Sequence, residues 1–130
     1  MKPIIVDTSI WIDWARGKKE ALIDVIRGRI VYMPVTVYME LVSGIRDKES
    51  RKSVYKMLEP FERNKRIVCP SFKDYQLAGE VLARLGWSAS KFSNDVMIAI
   101  LTKKMGGLLL TANYKDFRPV CSFIEVDIIE

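Results

Sequence analysis

Short apolar runs alternate along the chain with longer stretches in which apolar positions recur every third or fourth residue, which predicts strands alternating with helices. Pro3 to Val6 predicts a first strand. The turn at Asp7 leads into a short helix carrying Trp11 and Trp14, which Gly17 ends. A second helix, about Lys19 to Arg27, is expected to close at Gly28, followed by a β-branched and aromatic strand from Ile30 to Met33 that Pro34 stops. Thr36 is a candidate N-cap for a helix to Gly44 or Ile45, with Tyr38, Leu41, Val42 and Ile45 at helical spacing. Asp47 or Ser53 starts another, with Val54, Met57, Leu58 and Phe61 as its apolar stripe.

The second half continues the alternation. Arg66 to Val68 predicts strand three, and Ser71, after Pro70, predicts the cap of a helix carrying Leu77, Ala78, Val81, Leu82 and Leu85 and ending at Gly86. A polar loop from Ser88 to Ser93 is expected before a helix from about Asn94 to Met105. That helix is apolar nearly all round and should be packed on several sides. Gly106 and Gly107 turn the chain into strand four, Leu108 to Thr111, and Ser122 to Val126 is expected as strand five. The class is α/β with a largely parallel sheet.

Composition narrows the chemistry. The 130 residues suit one domain, 1–130, with a core large enough to need no staples. Apolar residues make up 49% and charged ones 28%, as in ordinary soluble proteins. The apolar runs, such as Val96 to Leu101, are too short to span a membrane, and Asp7 and Asp13 interrupt any secretory leader, so a soluble, cytoplasmic protein is expected. Cys69 and Cys121 are too few for a disulfide framework or a zinc cluster and are expected to be reduced, core-type residues. With no histidine in the chain, catalysis must come from acids, hydroxyls, lysines or a bound metal. The net charge is +5, with basic residues concentrated between Arg46 and Arg66. A polyanionic partner is allowed by that surplus, and so is a solvated helix face.

In parallel α/β units, helix starts and strand ends meet at one edge of the sheet, where ligand sites form. Asp7 follows strand one, Glu40 lies about a turn inside the helix after strand two, Asp95 opens the helix before strand four, and Asp116 follows strand four. Each has a duller alternative: a turn or N-cap residue for Asp7, a helix-dipole partner for Asp95, a solvated side chain for Glu40 and a simple loop residue for Asp116. Glu40 has the weakest pattern, lying nearly opposite the stripe of Tyr38, Leu41 and Val42. Should the four meet, their mutual repulsion calls for a cation, and oxygen donors alone point to Mg2+ or Mn2+. Such an ion can make hydroxide from water and stabilise charge on a phosphodiester. Thr8, Ser9, Thr111 and Asn113 offer hydroxyl and amide groups at the same rim.

The segments VDTSIWID, MELVSG, NDVMIA and LLLTANYKDF, in this order, make the chain resemble PIN-domain ribonucleases, most closely the VapC toxins of toxin–antitoxin pairs. The resemblance implies a single PIN domain with a three-layer α/β/α fold and a five-stranded parallel sheet in the order 3-2-1-4-5, with Cys69 and Cys121 kept apart. It implies that Asp7, Glu40 and Asp95 bind metal and that Asp116 is a fourth acid, often acting through water. Thr111 would be a polar residue near the metal and Asn113 one that shapes the loop. The implied activity is Mg2+- or Mn2+-dependent endoribonuclease action by metal-activated water. The implied partners are an RNA substrate, a second copy of the chain and a small antitoxin whose C-terminal segment covers the cleft. Trp11, Trp14 and the helix after Thr36 are candidates for that contact, core packing being the alternative for the tryptophans.

Two other functions compete. A phosphatase of the haloacid-dehalogenase type also places an aspartate after strand one, but it wants a second two positions later, where this chain has Ser9. A PIN-like protein could also bind or process RNA without a toxin role. Nucleotide-binding glycine loops are absent from the sequence.

Overall fold

The computed structural model describes residues 1–15, 17 and 24–129. The chain opens with Ile4–Val6 (β1), whose three side chains are fully buried, followed by Thr8–Ala15 (α1). Gly17 turns the chain just beyond α1 with φ 96°, and its N–H bonds to the Trp14 carbonyl. Of the expected second helix, Asp24 to Ile26 are helical and Gly28 follows in a turn; its beginning lies outside the described residues. Next come Val31–Pro34 (β2), Val35–Ser43 (α2), Lys48–Arg63 (α3) and Ile67–Val68 (β3). Phe72–Leu85 (α4), Ala89–Lys104 (α5), Leu108–Leu110 (β4), Tyr114–Ile124 (α6) and Ile128–Ile129 (β5) complete the order.

The strands form one five-stranded sheet ordered β3-β2-β1-β4-β5, every pair parallel, within an α/β/α architecture. Ile4, Ile5 and Val6 lie beside Leu108, Leu109 and Leu110 of β4, and Ile4 and Ile5 beside Val31 and Tyr32 of β2. The chain winds outward from β1 to β3, then returns to lay β4 on the other side of β1. The β1/β4 boundary is therefore the switch point where a crevice opens at the carboxyl edge. Helix α5 is the centre of the core: Val96 to Thr102 are all buried, as its all-round apolar pattern predicts. Thr102, the one polar residue of that run, donates its hydroxyl to the Ile98 carbonyl.

Capping signals were informative where side chains supply the missing partners. Asp47 caps α3 by accepting from the Ser50 N–H, and Ser71 and Asp74 form a reciprocal capping box at α4. Thr36 is not a cap, because α2 leaves β2 directly through Pro34. Its hydroxyl is buried without a hydrogen-bond partner. Two boundaries also differ from the sequence pattern. Helix α5 begins at Ala89, with Ser88 at its N-cap position, so the expected loop from Ser88 to Ser93 is mostly helix. The expected strand from Ser122 to Val126 is the end of α6 and its turn, because Phe117, Val120, Cys121 and Ile124 form one buried helical stripe despite Pro119.

After α6 the chain reverses at Glu125 (φ 63°), and only Ile128 and Ile129 join β4. Cys121 is buried in α6, whereas Cys69 is exposed just after β3 and is not a core residue; both are free thiols. No helix among the described residues is long and apolar enough to cross a membrane.

Gly107 is the tightest point of the β1/β4 seam. A Cβ there would stand 2.8 Å from Ile5 Cδ1 and 2.9 Å from the Pro3 carbonyl oxygen, which cannot move without shifting the sheet. Gly107→Ala is expected to destabilise the protein by about 1–3 kcal/mol, as overpacking does. A denaturant midpoint equal to wild type would show that the seam has more room than this geometry gives.

Candidate functional site at the carboxyl edge of the sheet

Asp7 is the first residue beyond β1 and is only 4% exposed. Its N–H bonds to the Leu110 carbonyl, extending the β1/β4 ladder, and its own carbonyl accepts the N–H groups of Ile10 and Trp11 to start α1. The backbone thus does the work of a helix start while the carboxylate faces hydroxyls. Oδ2 accepts from Ser9 Oγ at 2.8 Å and from Thr111 Oγ1 at 2.9 Å. Ser9 Oγ in turn accepts the Ala112 N–H, and Thr111 Oγ1 accepts the Asn113 N–H. These bonds tie the end of β1 to the loop after β4 across the switch point. Ser9 here holds Asp7, a task unlike that of a second phosphatase aspartate.

The other acids come from three helices. Glu40 is half-buried on α2, and its Oε1 accepts from Thr8 Oγ1 at 3.1 Å. The buried positions of α2 are Val37 and Leu41; Glu40 follows Val37 by three residues and so flanks that face instead of opposing it. The pattern drawn from Tyr38, Leu41 and Val42 left out Val37 and so misplaced the buried face. Asp95 lies in the second turn of α5, a turn deeper than the sequence pattern put it. Asp116 sits exposed in the first turn of α6, behind Asn113, whose carbonyl accepts the Asp116 and Phe117 N–H groups.

Electrostatics links all four. Burial, and then the charges of Asp7, Glu40 and Asp116, push the Asp95 carboxyl from 3.8 up to about 6. Glu40 is also raised, by burial first and by Asp7's charge, against the opposing effect of its bond from Thr8. None of the four belongs to the described ion pairs, which are Lys2–Asp127, Arg63–Glu59 and Lys104–Asp74. Among the described residues, no three acids stand close enough together to hold a metal ion as they are placed here. The four acids are hard oxygen donors that sense one another's charge at the carboxyl edge of the sheet, and donors of this kind suit a cation that retains part of its water shell.

Thr8, Ser9, Thr111 and Asn113 therefore all take part in the bonding around the acids. Thr111 is 1% exposed and serves as donor and acceptor at once. Thr111→Val should strand the Asn113 N–H and take one donor from Asp7, at a cost of about 1–3 kcal/mol in urea unfolding. A cost near zero would mean that the hydroxyl pair does not brace the crevice.

Beside Glu40 a trough of about 620 Å3 runs between α1, the end of α2 and α3, lined by Trp14, Leu41, Ile45, Arg46 and Met57 among others. Trp11, by contrast, is core, packed edge-on against Trp14 and Phe61. The sequence patterns did not reveal the trough, because its lining comes from three elements with no shared motif.

A fold of this topology with acids at its switch point defines the protein class, and the comparisons agree. The family model described as the PIN domain matches residues 4–121, so the chain belongs to the PIN domain family, whose members are typically nucleases. The fold is that of several solved structures. DNA-bound VapBC from Salmonella typhimurium aligns with a TM-score of 0.71 at 19% identity, covering 99% of this chain and 98% of that one. VapBC-1 from nontypeable Haemophilus influenzae aligns with a TM-score of 0.72 at 18% identity, over 98% and 96%. VapBC2 from Rickettsia felis, bound to a DNA fragment from their promoter, gives 0.72 at 20%, over 97% and 96%. Comparison with curated proteins finds no match.

Proposed function

We propose that this protein is a Mg2+- or Mn2+-dependent endoribonuclease, the toxin of a VapBC-type pair. The observation that carries this is the electrostatic coupling of Asp95 to Asp7, Glu40 and Asp116, with no protein cation among the described ion pairs to offset them. Asp7, Glu40, Asp95 and Asp116 would hold the ion. It would supply the Lewis acidity that lowers the pKa of water and offsets charge on a phosphodiester.

The chain's own residues then have distinct tasks. Ser9 and Thr111 fix the Asp7 carboxylate, and Thr8 orients Glu40. Burial and the neighbouring carboxylates raise the Asp95 carboxyl to about 6, which leaves it able to hold or give up a proton close to that pH. Arg46 at the trough and the exposed basic residues of α3 can hold an RNA backbone.

The trough supports an antitoxin partner, since a segment seated there would lie against Glu40, one of the four acids. The paired proteins in the VapBC structures of the same fold favour this over an RNA-binding protein with no toxin role. A homodimer belongs to the same proposal. The test is incubation of purified protein with single-stranded and hairpin RNA. Cleavage is expected with Mg2+ or Mn2+ and none in EDTA; cleavage that persists in EDTA would exclude the metal-dependent reading.

A further inference from the structure

Sequence patterning placed Lys91 and Phe92 in a loop, but both lie in the first turn of α5, four and three residues before Asp95. Residues at those spacings share one face of a helix, with Cβ atoms about 5–6 Å apart. Lys91 and Phe92 therefore extend the Asp95 face by one turn toward the N-terminus of α5. Lys91 is exposed, and its Nζ lies 5.2 Å from the centre of the Phe92 ring. Phe92 is half-buried against Trp87, ring centres 4.5 Å apart and 31° from coplanar.

Both ends of this aromatic pair are anchored. The Trp87 N–H bonds to the Leu82 carbonyl behind the left-handed Gly86, and the Phe92 N–H bonds to the Ser88 carbonyl. A fixed, partly open aromatic surface carrying a cation, one turn from a set of acids, has the chemistry of single-stranded nucleic acid contact. Bases stack on the rings, and the ammonium meets a phosphate that the acids alone would repel. The exposed Lys91 ammonium rests beside the Phe92 ring by cation–π attraction and can swing from it to a phosphate, leaving the ring to a base.

The geometry points to Lys91, Phe92 and Trp87 as the platform that receives the RNA nucleotide next to the scissile phosphate, Lys91 contacting its phosphate and Phe92 stacking on its base. This rests on the ribonuclease reading and adds the residues that position an unpaired strand. Duplex RNA offers no free base face at such a site, so the platform selects single strands and loops.

Steady-state cleavage of a single-stranded RNA with Mn2+ separates the two claims. Lys91→Gln should raise KM about fivefold, more than it lowers kcat, and make the salt dependence of log KM shallower by about 0.7, the loss of one phosphate contact. Phe92→Leu keeps the packing volume but not the π-face and should raise KM about tenfold, while Phe92→Tyr restores it. Melting temperatures of the variants report any loss of fold. An RNA with one abasic nucleotide, stepped across the cleavage position, should weaken the wild type at a single step and add nothing to Phe92→Leu there. Failure of wild type to cleave RNA sinks the ribonuclease reading and the platform together. Wild-type cleavage with KM and salt slope unchanged in both Lys91→Gln and Phe92→Leu overturns the platform alone.

Discussion

Asp7→Asn is expected to reduce metal-dependent RNA cleavage by more than about a hundredfold while leaving the fold intact. The physical reason is position: the Asp7 carboxylate is buried at the switch point and fixed through Oδ2 by Ser9 and Thr111. Changing groups that only orient a metal ligand typically costs 10- to 100-fold, so losing the ligand's charge should cost more. The asparagine keeps an oxygen that both hydroxyls can bond, and its neutral side chain relieves repulsion on Asp95 and Glu40. Circular dichroism and melting temperature should therefore match or exceed wild type. Undiminished cleavage by Asp7→Asn would remove the acids from the mechanism.

Asp95→Asn should have the second largest effect, on stability and in a direction opposite to most substitutions in a folded protein. The folded-state carboxyl titrates near 6 instead of 3.8. Between those values the folded protein binds more protons than the unfolded chain, so stability falls as pH rises through that window. The penalty is complete above about pH 6 and absent below the unfolded value. In EDTA at pH 7.5 the asparagine variant should be the more stable by about 1 kcal/mol, after discounting for the solvent screening of a half-exposed group. That corresponds to a melting temperature higher by about 3–5 °C. At pH 3.5 the advantage should vanish. A variant less stable than wild type at pH 7.5 without metal would mean that Asp95 is not under the strain described here.

Much of this arrangement was legible in the sequence for definite reasons. Buried parallel strands are continuous apolar runs, and β1 and β4 stand out as such. Acids placed just past those runs must emerge at the same edge, which is why Asp7 and Asp116 could be located from the chain alone. The 3-2-1-4-5 order came from the family resemblance, not from periodicity. Legibility failed where a local signal competed with tertiary packing. Ser122 to Val126 reads as a strand, yet the stripe from Phe117 to Ile124 buries enough apolar surface to place these residues in α6 and its turn. The polar letters from Ser88 to Ser93 looked like a loop, and so hid that Lys91 and Phe92 share a helix face with Asp95. Glu40 was judged by its distance from an incomplete stripe; Val37, fully buried beneath it, reverses that judgement.

The four acids are expected to act as one cation site. Calorimetric titration of Mn2+ into wild type, Asp7→Asn, Asp95→Asn and the double variant at pH 7.5 tests it most directly. Saturable binding to wild type is expected, with affinity at least about tenfold weaker in each single variant and little further loss in the double variant, because groups sharing one ligand are not additive. Binding of Mn2+ to Asp7→Asn and Asp95→Asn with wild-type affinity would contradict it.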